Sequence, residues 1–230
     1  YILRKSSSRQ SQEVLQKEHN ELLDKARAKK GKLTPWQPHH LTQLSNQLDF
    51  SFSKGFTRKF NGFIFDQSRD QRLLAFRRID RGLADFTSKI IALSSDFELY
   101  FEQEKTSVTI HYNGKVLGKL IKPHALLRMD NQQVGSISRS EGKEATYEVI
   151  LHGETVASFA KGTEKRSFLT NPHFKSKYSS TGMENDMIIE NPTANYGMVR
   201  LHRELSESEY PWVLALLVYE IVFYSIDFTQ

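Results

Sequence analysis

The chain has 230 residues, of which 38% are hydrophobic and 26% charged, enough to bury a sizeable core without covalent staples. It contains no cysteine, which excludes a disulfide scaffold, a thiol nucleophile and a thiolate metal site. The net charge is +5, with a basic excess in residues 1–32 that suits either phosphate or a solvated helix face.

The chain starts at Tyr1, and Tyr1-Ile2-Leu3 before Arg4-Lys5 is compatible with the positive flank of a preceding membrane helix. Residues 11–30 read as an amphipathic helix stopped by Gly31. Val14, Leu15, Leu22, Leu23 and Ala26 mark its narrow apolar stripe, and Val14, Leu15, Leu22 and Leu23 form a candidate face for a partner helix. Packing of the same stripe on its own domain is the competing reading. Residues 33–49 read as a linker, interrupted by Pro35 and Pro38, with Trp36 pinning it to the domain.

From residue 50 the texture changes to short apolar runs separated by turn residues. Strands are expected at Phe60–Phe65, Arg72–Ile79, Phe97–Gln103, Ser107–Tyr112, Val116–Lys122, Ala125–Met129, Gln133–Arg139, Thr146–Leu151, Thr155–Lys161, Met187–Glu190 and Gly197–His202. Residues 82–94 are ambiguous, because Leu83, Phe86, Ile90 and Leu93 have helical spacing while Ile90-Ile91 suits a strand. SVTIHYNGKVLGKLIK (107–122) lies over TYEVILHGETVASFAK (146–161), and Asn113-Gly114 is a strong hairpin signal because both turn positions need positive φ. A further hairpin is expected to turn at Asp130-Asn131. Successive hairpins of this kind point to an antiparallel sheet that closes on itself.

The segment PWVLALLVYEIVFYSIDFTQ (211–230) is apolar on all sides, so its helix belongs inside a core or in lipid. Glu220 interrupts it after the eight residues from Trp212 to Tyr219, short of the roughly 20 that a span needs. A buried central helix over 211–228 is therefore expected, with Pro211 and Glu209 suiting its start and Glu220 needing a partner such as Arg or Lys.

Chemistry-bearing motifs do not emerge. No phosphate-binding glycine loop, nucleophile elbow or paired-histidine zinc motif is present, and the adjacent His39-His40 make no metal site alone. Glu102 and Glu104 would share a strand face as solvated carboxylates. No catalytic residue, metal or cofactor is assigned, and the chain is expected not to be an enzyme. Two stretches interleave cations with aromatics. One holds Lys54, Arg58 and Lys59 beside Phe56 and Phe60; the other holds Lys161, Lys165, Arg166, Lys175 and Lys177 among Phe168, Phe174 and Tyr178. Both are candidate anion- or lipid-binding surfaces.

The hairpin series DNQQVGSISR and YEVILHGETVASFAK, with the terminal WVLALLVYEIVFYSIDF after it, resembles the tubby C-terminal-like superfamily, which includes tubby proteins, phospholipid scramblases and LURP-one-related proteins. The resemblance is architectural and covers about Phe50 to Gln230. It implies a mainly β fold, a closed antiparallel barrel of about twelve strands around the hydrophobic C-terminal helix. It also implies phosphoinositide or membrane binding, or protein interaction, with no lipid-binding residue carried over. The scramblase features of a proline-rich N-terminal region, a cysteine cluster and an acidic calcium segment are absent. The expected organisation is a basic helix at 1–32, a linker at 33–49 and a barrel domain at 50–230. The expected role is a cytoplasmic scaffold or interaction module with a protein partner, open to tethering at a membrane. The alternative is a module for anionic phospholipid, and nucleic acid is disfavoured for want of any standard motif.

Overall fold

Thirteen strands form one antiparallel sheet in the computed structural model, which describes residues 17, 19–53, 57–82, 86–122, 126–139, 146–160, 184–189 and 199–224. The strands are β1 (Leu44–Ser53), β2 (Thr57–Asp66), β3 (Arg72–Arg81), β4 (Thr87–Leu93), β5 (Glu98–Gln103), β6 (Ser107–Tyr112), β7 (Lys115–Ile121), β8 (Leu126–Met129), β9 (Gln132–Arg139), β10 (Thr146–Leu151), β11 (Glu154–Ala160), β12 (Glu184–Ile189) and β13 (Val199–Leu201). Strands β1 to β11 lie side by side in chain order, β12 adds to the outer edge of β1, and β13 adds to β11. The sheet curls into a nearly closed barrel. Helical residues 19–27 (α1), the short helix α2 (His40–Gln43) and helix α3 (Tyr210–Tyr219) accompany it, and α3 runs on into a π-helical turn, Glu220–Tyr224.

The sequence echo becomes two equivalent hairpins. Asn113 and Gly114 take φ of 51° and 77° between β6 and β7, and His152 and Gly153 take 52° and 88° between β10 and β11. Each pair also carries a register irregularity near its turn, at Ile110/His111 and at Val149/Ile150, which are aligned positions of the echo. Asp130 and Asn131 turn the chain from β8 to β9 with φ of 48° and 64°.

Two strands depart from the sequence expectation, for one reason each. Strand β4 resolves the ambiguous stretch before residue 94. Its inward Ile90 and Ala92 join the main core, while its outward Ile91 and Leu93 join a second cluster with Leu22, Ala26 and Ala75. Burial on both faces turns strict alternation into a continuous apolar run, which mimics helical spacing. Strand β1 begins at Leu44, within the stretch read as a linker, because Leu48 and Phe50 alternate with polar residues around a register shift between Leu44 and Leu48.

Helix α1 lies against the outer face of the sheet. Leu22 and Ala26 are buried there and Leu23 is half-buried, so the surface of Leu22 is spent within the chain. Arg27 adds a two-pronged tie, Nε and Nη2 each donating at 2.8 Å to the carboxylate of Glu98 on β5. Val14 and Leu15 lie outside the described residues. Trp36 pins the adjoining segment: its backbone N–H donates to Ser95 Oγ at 2.7 Å, its indole Nε1 donates to Tyr210 at 2.9 Å, and its ring meets Phe97 edge-on at 4.9 Å.

Helix α3 opens from a polar turn. The Glu209 carboxylate accepts from the backbone N–H and the hydroxyl of Ser206, each at 2.9 Å, and from both Nη atoms of Arg203 at 2.9 and 2.6 Å. Ser206 and Glu209 have the Ser-x-x-Glu spacing of a capping box, just ahead of the helix. The Arg203 guanidinium, helped by Ser206 and opposed by burial, holds Glu209 down to about 2 from the usual carboxylate value of 4.5. A depressed carboxyl contributes stability that is full above its unfolded pKa and is lost as pH falls. The expected result is that acid weakens the fold progressively from about pH 4.5 towards about pH 2, and that Glu209→Gln flattens this part of the profile. Urea midpoints measured across that range check it, and an unchanged slope in the variant would contradict the assignment.

Candidate binding surface at one end of the barrel

Along β3, Leu74, Phe76, Arg78 and Asp80 share one parity, and all are buried. The inward face thus changes from apolar to charged towards one end of the strand. Neighbouring strands continue the polar row: Asp80 is in register with Ser88 on β4, and Ser88 with Gln103 on β5. On the other side Asp80 is in register with Arg58 on β2. Arg58 is half-buried and shares the parity of buried Phe60, while Lys59 is exposed on the opposite parity.

Val222 and Phe223 of the apolar C-terminal segment are tied to this row. Arg78 grips Asp80 through Nε at 2.8 Å and Nη2 at 2.7 Å, and Ser88 Oγ donates to the same carboxylate at 2.7 Å. Nη1 of Arg78 donates to the carbonyls of Val222 and Phe223 at 3.0 and 2.9 Å. Backbone carbonyls carry partial negative charge, which the guanidinium meets. Glu220, for which a cation was anticipated, is half-buried at the start of the π-helical turn.

Lys122 approaches from the end of β7. Its Nζ donates to the Tyr219 hydroxyl at 3.1 Å, and that hydroxyl donates to Gln103 Oε1. Burial lowers the pKa of Lys122. Phe223 lies between the two cations, 4.5 Å from the Arg78 guanidinium and 5.0 Å from Lys122 Nζ, and is stacked on Tyr219 at 5.1 Å. Phe86 meets Phe223 edge-on at 6.0 Å, and Arg78 also stands over Phe60 at 5.2 Å. The result is an aromatic floor of Phe60, Phe86, Tyr219 and Phe223 with Arg78 and Lys122 about it.

Of the residues singled out from sequence, Arg58 and Lys59 stand at this end. Lys54, Lys161, Lys165, Arg166, Lys175 and Lys177 lie outside the described residues. His39 and His40 form an edge-on ring pair at 4.5 Å, with His40 Nδ1 accepting from the Gln37 backbone. Among the described residues no group of His, Asp and Glu could hold a metal, and no helix is long and apolar enough to cross a membrane. Glu102 accepts from the Tyr100 hydroxyl at 2.7 Å, and Glu104 lies just beyond the end of β5. Sequence reading missed Arg78, Asp80, Ser88, Gln103, Lys122 and Tyr219. Their one signal was parity, since Arg78 and Asp80 continue the inward series of Leu74 and Phe76.

No family model, no curated protein and no solved structure matches the chain.

Proposed function

We propose that the chain is a non-enzymatic binding module, an interaction or scaffold unit whose barrel is plugged by its own C-terminal helix and overlaid on the outside by its amphipathic N-terminal helix. The observation that carries this reading is the burial of every residue from Trp212 to Tyr219 in one core with side chains from β1 to β11. A lumen occupied by a helix directs partners to the rim, the wall or the loops. A protein partner is the first reading.

A second reading, an anionic phospholipid surface, is favoured by Arg58 and Lys59 at the rim beside Phe60, with Lys122 at the same end. Cations there would neutralise headgroups, and the exposed charge would make binding salt-dependent. The resemblance to tubby-like proteins supports either reading. One pair of measurements separates them: pull-down of a protein partner with the full chain, and co-sedimentation of the same chain with phosphatidylcholine and phosphatidylserine vesicles at low and high salt. A saturable protein partner without vesicle binding supports the first. Salt-sensitive binding to anionic vesicles, lost in the Arg58→Glu/Lys59→Glu variant, supports the second. Failure of both measurements would sink the two together.

A further inference from the structure

The outer wall beneath α1 gathers cations away from the barrel end. Phe63 on β2 is flanked in register by Asp49 and Ala75, and the next row outward holds Ser51, Asn61 and Arg77. The chain leaves α1 across this patch. Lys29 Nζ sits 4.6 Å from the centre of the Phe63 ring, and the Arg72 guanidinium 4.8 Å from the same ring. Arg77 Nε is buried without a hydrogen-bond acceptor, and Asn61 Oδ1 is buried without a donor.

Burial brings Lys29 down to about 8, and Arg77, Lys32 and Arg72 push it the same way against Asp49 alone. Arg77 is lowered by burial, with Glu21 opposing. Lys29, Lys32, Arg72 and Arg77 against Asp49 and Glu21 leave an excess of two positive charges. An aromatic ring answers a cation only weakly, and it gives the stranded Nε no acceptor. A guanidinium fork and an ammonium together match a tetrahedral oxyanion, and a dianion matches the charge excess better than a single carboxylate.

We propose that Lys29, Arg72 and Arg77 around Phe63 form a binding site for a phosphate-class dianion, separate from the barrel-end rim and independent of the function proposed for it. The anion supplies the acceptor that Arg77 Nε lacks and separates the crowded cations. Such a group could belong to a free phosphate compound or to a lipid headgroup.

The test is calorimetric titration of the full chain with inorganic phosphate and with inorganic sulfate. Arg77→Leu and Lys29→Met are each expected to lower affinity about tenfold, while Lys115→Met, at the exposed start of β7, leaves it unchanged. Neither site variant is expected to lower the melting temperature without anion, because each relieves like-charge crowding. Sulfate keeps its charge in alkali, so its affinity is expected to fall about tenfold between about pH 7 and pH 9 as Lys29 loses its proton, and Lys29→Arg is expected to abolish that fall. Vesicles of phosphatidylcholine with phosphatidic acid distinguish the source: phosphate that displaces the chain from them assigns a lipid headgroup, and phosphate binding with no vesicle binding assigns a soluble ligand. No phosphate binding, or wild-type affinity in Arg77→Leu, overturns the proposal.

Discussion

Replacing Arg78 by Leu is expected to destabilise the fold by about 3–5 kcal/mol, the range for removing one partner of a buried ion pair. The Arg78 and Asp80 side chains are 5% and 4% exposed, so neither charge has water to fall back on. Arg78→Leu strands the Asp80 carboxylate with Ser88 as its remaining neutral donor, and it also removes the Arg78 bonds to the Val222 and Phe223 carbonyls. Asp80→Asn keeps an acceptor for Arg78 and a partner for Ser88, so a smaller loss is expected, about 1–3 kcal/mol. The double change Arg78→Met/Asp80→Leu should recover part of the single loss, because a buried pair exchanged for packed apolar groups is often near neutral. Recovery stays incomplete because the two Arg78 bonds to the helix carbonyls are still lost. Chemical denaturation of the four proteins decides the matter. A loss below about 1 kcal/mol for Arg78→Leu would mean that the pair is solvated and does not anchor the C-terminal helix. Against a total stability of typically 5–15 kcal/mol, the expected loss is a large fraction of the whole.

The same pair shows where sequence reading runs out. The hairpins were legible because Asn113-Gly114 and His152-Gly153 announce their turns locally and repeat in an alignable frame. The apolar C-terminal segment was legible because no polar face exists to place in water. Strand β4 was not, since the helix that buries its outer face lies some sixty residues earlier in the chain, and nothing local to Ile90-Ile91 reports that cover. The barrel-end row was missed for the complementary reason. Asp80, Ser88 and Gln103 look like ordinary surface residues one strand at a time, and they become one buried row only when register sets them side by side. The cluster around Phe63 is similar, because Lys29 and Arg77 belong to segments far apart in sequence. The basic stretches read from sequence were clusters by adjacency in the chain, whereas the cations that the structure gathers are clusters by register and packing.

The tight contact between the C-terminal helix and the wall supplies the last prediction. Gly118 on β7 has φ of 154°, and a Cβ added there would meet the Trp212 indole at 2.7 and 2.8 Å and the Arg128 carbonyl more closely still. Trp212 is buried near the start of α3, so its ring reaches the sheet where a residue has no side chain to obstruct it. Trp212→Ala is expected to cost about 3–5 kcal/mol, the lost burial of the ring plus the cavity it leaves. Gly118→Ala is expected to cost about 1–3 kcal/mol through overpacking, with backbone strain in addition. The two losses should not add. With the indole gone, the new methyl group has room on the helix side and meets only the strand carbonyl. The double variant should therefore be more stable than the sum of the singles by about 1 kcal/mol or more. Urea unfolding of the two single variants and the double measures that coupling. Additivity to within about 0.5 kcal/mol would mean that the indole does not pack on β7 in solution, and the proposed helix-plugged barrel would lose its most specific contact.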